Sequence, residues 1–394
     1  MKVKILDETE PLKSVGYWSP GLETLVGQTL PTEISLFYES FDVLAAQKEH
    51  KNLVDLLKKL GVKTINFKDH YVETLQPINL KPEILQKIIL MQCEKYMKMF
   101  GTKIDTNLIE VLLHKDIKNY GEEKAVTLNY ELCFGLPLCN ITFSRDQGTV
   151  ILDKCFLAKP RFPIRQPEIP IIEKTLKYLG IDPIKMTHPD ATFEGGDAIV
   201  HHDHVLFGKG MRTNDTGAMS MLRSVKDWVY PSYLKANYPF FHEYDFLIIE
   251  MPNGMDTMHL DTFFMPYDYH TVVDCPQVAK KCNVIHFPTI QKYENFHEYL
   301  KKPYGCDIIT VNEKEQKLDT SKGVVGLGSN FLNVDKYRNL NLDEHRKVVP
   351  HKGNEILNKK LEDNGAKLYH AEIYNLVRMW GGPHCLFFQL SRGY

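Results

Sequence analysis

The chain has no long apolar run. Its best, Phe246-Leu247-Ile248-Ile249-Glu250-Met251-Pro252, has the length of a buried strand and is too short to cross a bilayer. The N-terminal stretch Met1-Lys2-Val3-Lys4-Ile5-Leu6-Asp7-Glu8 lacks the apolar centre of a secretory signal. Charge of one sign is also missing: 48 basic residues face 50 acidic ones, for a formal net charge of -2. With no basic stripe, nucleic acid is not expected as the main partner. The eight cysteines (Cys93, Cys133, Cys139, Cys155, Cys275, Cys282, Cys306 and Cys385) form no CxxC pair and match no zinc spacing. Without a signal they read as reduced thiols of a cytoplasmic protein, most of them small buried hydrophobes. Repeats and low-complexity segments are absent, and Gly208-Lys209-Gly210 lacks the spacing of a phosphate-binding loop. What remains is an ordinary globular composition, 43% hydrophobic and 25% charged over 394 residues.

The apolar pattern alternates between the two periods. Residues 12–18 read as a strand, 39–60 as a helix with apolar residues three and four apart, and Val62 to Phe67 as a strand after Gly61. Residues 78–132 read as a helical insertion, opened by Pro82 and interrupted by Gly101. Strand patterns then recur at Ile141 to Phe143, Thr149 to Leu152, Ala198 to Phe207, Phe246 to Glu250, Thr271 to Val273, Asn283 to Phe287 and Ile308 to Val311. Helical patterns at 168–179, 216–228 and 354–364 lie between them. Such alternation predicts one large α/β domain over 1–394.

Four stretches carry chemistry. In Met379-Trp380-Gly381-Gly382-Pro383-His384-Cys385, small residues force a sharp bend before a single cysteine, a candidate nucleophile. In Phe193-Glu194-Gly195-Gly196-Asp197, two glycines let two carboxylates bend toward one cavity, although the same composition also suits an acidic surface turn. In Thr257-Met258-His259-Leu260-Asp261-Thr262, a strand would point His259 and Asp261 to one face as an acid/base unit, or as a buried hydrogen-bonded pair. In Asn140-Ile141-Thr142-Phe143-Ser144-Arg145-Asp146, an amide, a ring, a guanidinium and a carboxylate precede a strand, as they would in a polar loop. His201-His202-Asp203-His204 looks like a metal cluster but has hairpin-turn spacing, and strand neighbours face opposite ways, so a polar turn is expected.

In this chain order, the Asn140–Asp146, Glu194–Asp197, Met258–Thr262 and Gly381–Cys385 stretches resemble the guanidino-group modifying enzymes of the pentein fold, most closely arginine deiminases. Gln47-Lys48-Glu49-His50 and Met211-Arg212-Thr213 are also similar, whereas 265–370 carries little of the likeness. The resemblance implies a five-bladed, pseudo-symmetric α/β propeller with a helical insertion and a central active site. It implies that Cys385 attacks the guanidinium carbon and His259 protonates the departing ammonia, then activates water. Glu194 would hold the guanidinium and shuttle protons, while Asp146 and Asp261 clamp its nitrogens. Arg212 and Arg165 would bind an α-carboxylate, with Asn140, Phe143 and Asp197 lining the rest of the pocket. Neither metal nor organic cofactor is implied. The partner would be a small guanidino compound, with homo-oligomers an open possibility.

One position departs from that pattern. An arginine is expected five residues before the cysteine, where this chain has Trp380. If the segment is extended, Arg378 shares its face and substitutes. Hydrolysis of L-arginine to citrulline and ammonia is therefore the leading expectation. An amidinotransferase is the rival, although Glu194 favours the hydrolase, and related guanidines or peptidyl-arginine are further alternatives. Methylated arginines fit poorly between clamps at Asp146 and Asp261. A silent guanidine-binding module would not need every reactive side chain, and a cysteine protease would not need three converging acids.

Overall fold

The computed structural model describes residues 1–229, 231–232, 244–316, 318–319, 324–325, 327–335 and 346–393. Its strands are β1 (Leu12–Tyr17), β2 (Lys63–Asn66), β3 (Gly148–Ile151), β4 (Lys154–Leu157), β5 (Ala198–His201) and β6 (His204–Lys209). Then come β7 (Asp245–Glu250), β8 (Phe264–Pro266), β9 (Thr271–Asp274), β10 (Asn283–Phe287), β11 (Gln291–Tyr293) and β12 (Asp307–Thr310). The last are β13 (Leu318–Asp319), β14 (Val324–Val325), β15 (Leu332–Asp335), β16 (Arg346–Val349), β17 (Ala366–Leu368) and β18 (Phe388–Arg392).

These strands form small separate sheets within a mixed α/β fold. β1 lies between β18, antiparallel, and β2, parallel, so the strand that follows Cys385 is pinned against the start of the chain. β3 and β4 are a hairpin, and the order β11-β10-β7-β6-β5 makes the largest sheet. β12-β9-β8 and β15-β16-β17 are three-stranded, and β13 pairs with β14 alone.

The helix Val43–Lys59 shows how the pattern dictates the element. Asp42 caps it by accepting the Leu44 and Ala45 N–H groups at 2.8 and 3.0 Å. Val43, Ala46, His50, Leu53, Val54 and Leu57 form its buried face. The expected insertion is three successive helices, Pro82–Phe100, Asn107–Tyr120 and Glu122–Cys133. They pack on one another and on the helix Leu22–Gly27. None of the described helices is long and apolar enough to cross a membrane.

Two expectations about elements are corrected. Ile141 to Phe143 is not a strand: the Ile141 N–H reaches the Leu138 carbonyl at 3.1 Å and the Phe143 N–H reaches Asn140 at 3.0 Å, giving consecutive turns. The three residues are buried because the turns tuck beneath the site, with Thr142 Oγ1 donating to the Trp18 carbonyl at 2.6 Å. The His259 to Asp261 stretch is not a strand either. Leu260–Thr262 is one tight helical turn, closed by the Thr262 N–H and Oγ1 on the His259 carbonyl at 3.2 and 2.6 Å. The two side chains therefore diverge instead of sharing a face. The helix expected at 216–228 is continuous but widens after Arg223 into a longer-period turn, Ser224–Val229.

Buried apolar residues fall into two clusters. One contains Cys385, Phe387 and most of both chain ends; the other contains Leu260, Phe263 and the strands from β7 to β12. The four chemical stretches meet along the seam between them.

Candidate active site

The bend before Cys385 is held from several directions. The helix Tyr374–Arg378 starts on the Glu49 carboxylate, which accepts the Asn375 and Leu376 N–H groups at 2.8 and 3.2 Å. Gly381 then lies flat on the Phe143 ring, where any Cβ would sit 1.9 Å from a ring carbon. The N–H groups of His384 and Cys385 both donate to Asn330 Oδ1, at 3.0 and 3.3 Å. The Cys385 carbonyl accepts the Arg145 N–H at 3.1 Å. Its Sγ is 4.0 Å from Asp261 Oδ2, and that oxygen also meets His384 Nδ1 at 2.7 Å. Burial pushes the thiol well above its ordinary pKa, and Asp261 and Asp146 push it further. The resting thiol is therefore neutral, and its strongest electrostatic neighbours are acids.

The second half of the site is built on Glu194. Its Oε2 lies 3.0 Å from His259 Nε2, 3.4 Å from Arg212 Nη1 and 3.5 Å from Arg165 Nη1. Burial alone would raise this carboxyl, but Arg212, His259 and Arg165 outweigh it and hold it well below the usual range. His259 Nδ1 lies 3.6 Å from Asp146 Oδ1. Burial would lower the imidazole, yet Asp146, Glu194 and Asp197 raise it to about 9. It is consequently an imidazolium at neutral pH, ready to give up a proton. Gly196 passes so close beneath the ring that a Cβ would lie 2.8 Å from His259 Cγ.

One oxygen of each acid is left over. Asp146 Oδ1, Glu194 Oε1 and Asp261 Oδ1 are buried and have no hydrogen-bond partner in the structure. Buried acceptors are ordinarily satisfied, so unpartnered oxygens on three neighbouring acids mark the place for a multidentate cationic donor.

A sequence model of the arginine deiminase family matches residues 35–392. The chain belongs to the arginine deiminase family. It is 25% identical over 382 residues to an arginine deiminase of Limosilactobacillus reuteri, covering 86% of each chain. It is 24% identical over 426 residues to the Oenococcus oeni arginine deiminase, covering 99% of this chain and 97% of that one. Solved structures share the fold. The N-terminal domain of ArgZ, a cyanobacterial arginine dihydrolase bound to product, gives a TM-score of 0.58 at 14% identity, covering 98% of this chain and 99% of that one. The saxitoxin-pathway amidinotransferase SxtG of Microseira wollei gives 0.55 at 17% identity, covering 99% and 97%.

The other residues expected to bind substrate in this arginine deiminase family member are placed less uniformly. Arg212 stacks on Phe162, 4.7 Å from the ring centre, and reaches Glu194. Arg165 is tied by ion pairs to Asp146 at 2.5 Å and Glu168 at 2.9 Å, and donates to the Asn140 carbonyl at 3.1 Å. Here its guanidinium braces acids of the site, Glu194 included at 3.5 Å. Asn140 donates its amide to the Ser35 carbonyl at 2.7 Å, and Phe143 is the floor beneath Gly381. Asp197 takes the Leu260 N–H at 3.0 Å and the Thr213 hydroxyl at 2.5 Å, so it anchors the turn that carries His259. Burial raises its carboxyl to about 7. For Arg378 the expected extended segment is corrected: it is helical, and the Arg378 Nε pairs with Glu39 at 3.0 Å.

Sequence reasoning missed Asn330, His384 and the Glu8–Arg145 pair. His384 lies between Asp261 and Glu8, with Nε2 2.9 Å from Glu8 Oε2. Arg145 joins Glu8 at 2.7 Å. His384 adjoins the nucleophile, which was its one available signal; Asn330 carried none.

The His201–His204 stretch is the expected hairpin turn, with His202 at φ 57. Its side chains do converge, however: His202 Nδ1 and His204 Nδ1 lie 2.5 and 2.6 Å from the same Asp203 oxygen. Strand alternation does not govern residues on a turn.

Proposed function

We propose that the chain hydrolyses the guanidinium group of L-arginine to L-citrulline and ammonia through a covalent adduct on Cys385. The observation that carries this reading is the set of three buried carboxylate oxygens without a hydrogen bond, on Asp146, Glu194 and Asp261, with a buried thiol beside Asp261 and an imidazolium facing Asp146 and Glu194. A planar guanidinium supplies five N–H donors for such acceptors. Its arrival places a positive charge beside Asp146 and Asp261, the acids that oppose ionisation of Cys385. The substrate thus supports its own attack, and burial disfavours the thiolate until it binds.

In the proposed reaction the bound guanidinium lets the Cys385 thiol release its proton to solvent water, and the thiolate sulfur bonds to the guanidinium carbon. The proton on His259 leaves with the departing nitrogen as ammonia, giving a thiouronium adduct. His259, now neutral, takes a proton from water as the water oxygen attacks the same carbon. The carbon–sulfur bond breaks with the electron pair on sulfur, the ureido product departs, and the thiolate takes a proton back from solvent while His259 stays an imidazolium. Glu194 holds the imidazolium and the substrate in register, and Asp146 and Asp261 fix the guanidinium plane. Sulfur and imidazole supply the nucleophile and the acid, so the steps call on neither a metal nor an organic cofactor.

The same reading extends to architecture. The sheets β18-β1-β2, β3-β4, β5-β6-β7-β10-β11, β8-β9-β12 and β15-β16-β17 act as five blades of a propeller within one catalytic domain, 1–394. Residues 78–132 are an insertion, supported by the absence of any strand between β2 and β3 among the described residues.

The test is a product assay on purified protein. L-Arginine should give citrulline and ammonia, and Cys385→Ala should abolish both turnover and the adduct seen by mass spectrometry. Formation of ornithine and a new guanidino compound from arginine plus glycine would favour an amidinotransferase instead.

A further inference from the structure

The turn that joins β5 to β6, at the far end of the hairpin from Asp197, gathers three metal-ligating side chains. His202 Nδ1 and His204 Nδ1 flank the same Asp203 oxygen at 2.5 and 2.6 Å, and the three ligand atoms lie within 4.8 Å of one another. Two imidazoles and a carboxylate make up a zinc-type donor set. Zinc bonds of about 2.0–2.1 Å set neighbouring donors about 3.4 Å apart, so the carboxylate has only to draw back by about an ångström. His202 and Asp203 are open to solvent while His204 is almost covered, which gives an ion an entry path and a fourth position for water.

The ligands are held before an ion arrives. His201 and His204 are the last pair of the hairpin ladder. The His202 N–H donates to Asp7 Oδ2 at 3.0 Å, and the Asp203 carbonyl accepts the Asp245 N–H at 2.8 Å. Aromatic rings back both imidazoles: the Tyr269 ring centre lies 3.7 Å from that of His202, and the Tyr304 ring centre 4.2 Å from that of His204. Ligands ordered in advance lose less freedom on binding. His201 takes no part, because its Nδ1 meets the Tyr304 hydroxyl at 2.8 Å and its Nε2 the Asp268 carbonyl at 2.7 Å.

Two observations favour an ion over a polar turn that satisfies itself. His204 Nδ1 is buried and makes no hydrogen bond, despite the nearness of Asp203, whereas buried ring nitrogens ordinarily have a partner. On the other side of the same ring, Nε2 faces Asp245 Oδ2 at 3.8 Å. A histidine that ligates through one nitrogen is characteristically oriented by a carboxylate at the other.

We propose that His202, Asp203 and His204 form a surface site for one divalent transition-metal ion of the zinc type, which clamps the β5–β6 turn. Imidazole donors select such an ion over magnesium or calcium, which take oxygen ligands. The site is separate from the chemistry at Cys385 and does not rest on the hydrolase reading. Asp146, Glu194 and His259 also converge, but there the imidazolium and the guanidinium groups of Arg165 and Arg212 oppose a further cation.

The experiment titrates zinc chloride into chelator-treated, full-length protein by calorimetry and follows the melting temperature. One zinc ion per chain is expected, with a Kd in the micromolar range or tighter and a melting temperature that rises with added zinc. Magnesium chloride at the same concentrations should do neither. His204→Ala should weaken zinc binding at least about tenfold. Should that variant not fold, His202→Asn carries the same expectation, since asparagine accepts the φ of 57 found at this position. Glu194→Gln should bind zinc as the wild type does, which separates the turn from the acids of the active site. Zinc uptake only at millimolar concentration, wild-type affinity in a folded turn variant, or loss of zinc in folded Glu194→Gln each overturns the proposal.

Discussion

Asn330 fixes the nucleophile through its backbone. One side chain accepts the N–H groups of His384 and Cys385 and donates to the Asp261 carbonyl at 3.0 Å. Asn330→Ala would leave two buried N–H groups without a partner, each worth about 1–3 kcal/mol. The variant should unfold at lower temperature and lose about 10- to 100-fold in kcat, because the thiol and the Asp261 clamp lose their common brace. Thermal unfolding together with the single-turnover rate of adduct formation checks this. A variant with unaltered adduct formation would remove Asn330 from the positioning role. His259 gives a second prediction at this scale. With its pKa raised to about 9, the free protein keeps the imidazolium through neutral pH. The value of kcat/KM should therefore fall as pH rises past about 9, where the proton for the leaving ammonia is lost; a profile still rising there contradicts the acid role. Which residues come together was largely legible: Cys385, His259, Glu194, Asp146 and Asp261 meet where their motifs suggested. What supports them was not, because the partners are remote in sequence. His384 and Glu8 are 376 residues apart, and Asn330 lies in a stretch without a recognisable pattern.

At the scale of elements, spacing alone could not separate a strand from a tight helical turn. His259 and Asp261 are two apart in either case, but only a strand puts them on one face. The turn instead sends His259 toward Glu194 and Asp261 toward the thiol, so one short segment serves both halves of the site. Ile141 to Phe143 failed for a related reason: three buried apolar residues are equally compatible with buried turns. The long amphipathic helices and the β5–β6 hairpin were legible because their periods extend over enough residues to be unambiguous. The Glu194–Asp197 bend carries its own prediction. Gly196→Ala would put a methyl group 2.8 Å from His259 Cγ, so the ring must shift. Overpacking of this sort costs about 1–3 kcal/mol, and a displaced proton donor costs about 100-fold in rate. Measuring kcat alongside the melting temperature separates the two effects. Wild-type kcat would mean that the close approach of backbone and ring has no catalytic consequence.

At the scale of the whole molecule, an active site of buried charges leaves its mark on stability. Fold class followed from α/β alternation, but the positions of the acids relative to one another are a tertiary property that no local pattern encodes. Their titration exposes it. His259 is raised from 6.5 to about 9, so its contribution is fully present below pH 6.5 and is lost as pH rises through 9. Asp197 is raised by burial from 3.8 to about 7, so folding favours its neutral form. That contribution is complete below pH 3.8 and is lost as pH rises through 7. Glu194 is lowered, so its contribution runs the opposite way, present above pH 4.5 and lost in acid. Asn is the neutral isostere of Asp197 and retains an acceptor for the Leu260 N–H and a donor for the Thr213 hydroxyl. Asp197→Asn should therefore match the wild type near pH 4 and become progressively more stable relative to it as pH rises to 7. Above that pH the gap should cease to widen, because the wild-type carboxyl is by then ionised. Chemical denaturation of both proteins across this range reads the difference directly. A gap that is constant with pH, or one that closes as pH rises, would show that Asp197 is ionised throughout and stabilised by the charge of His259.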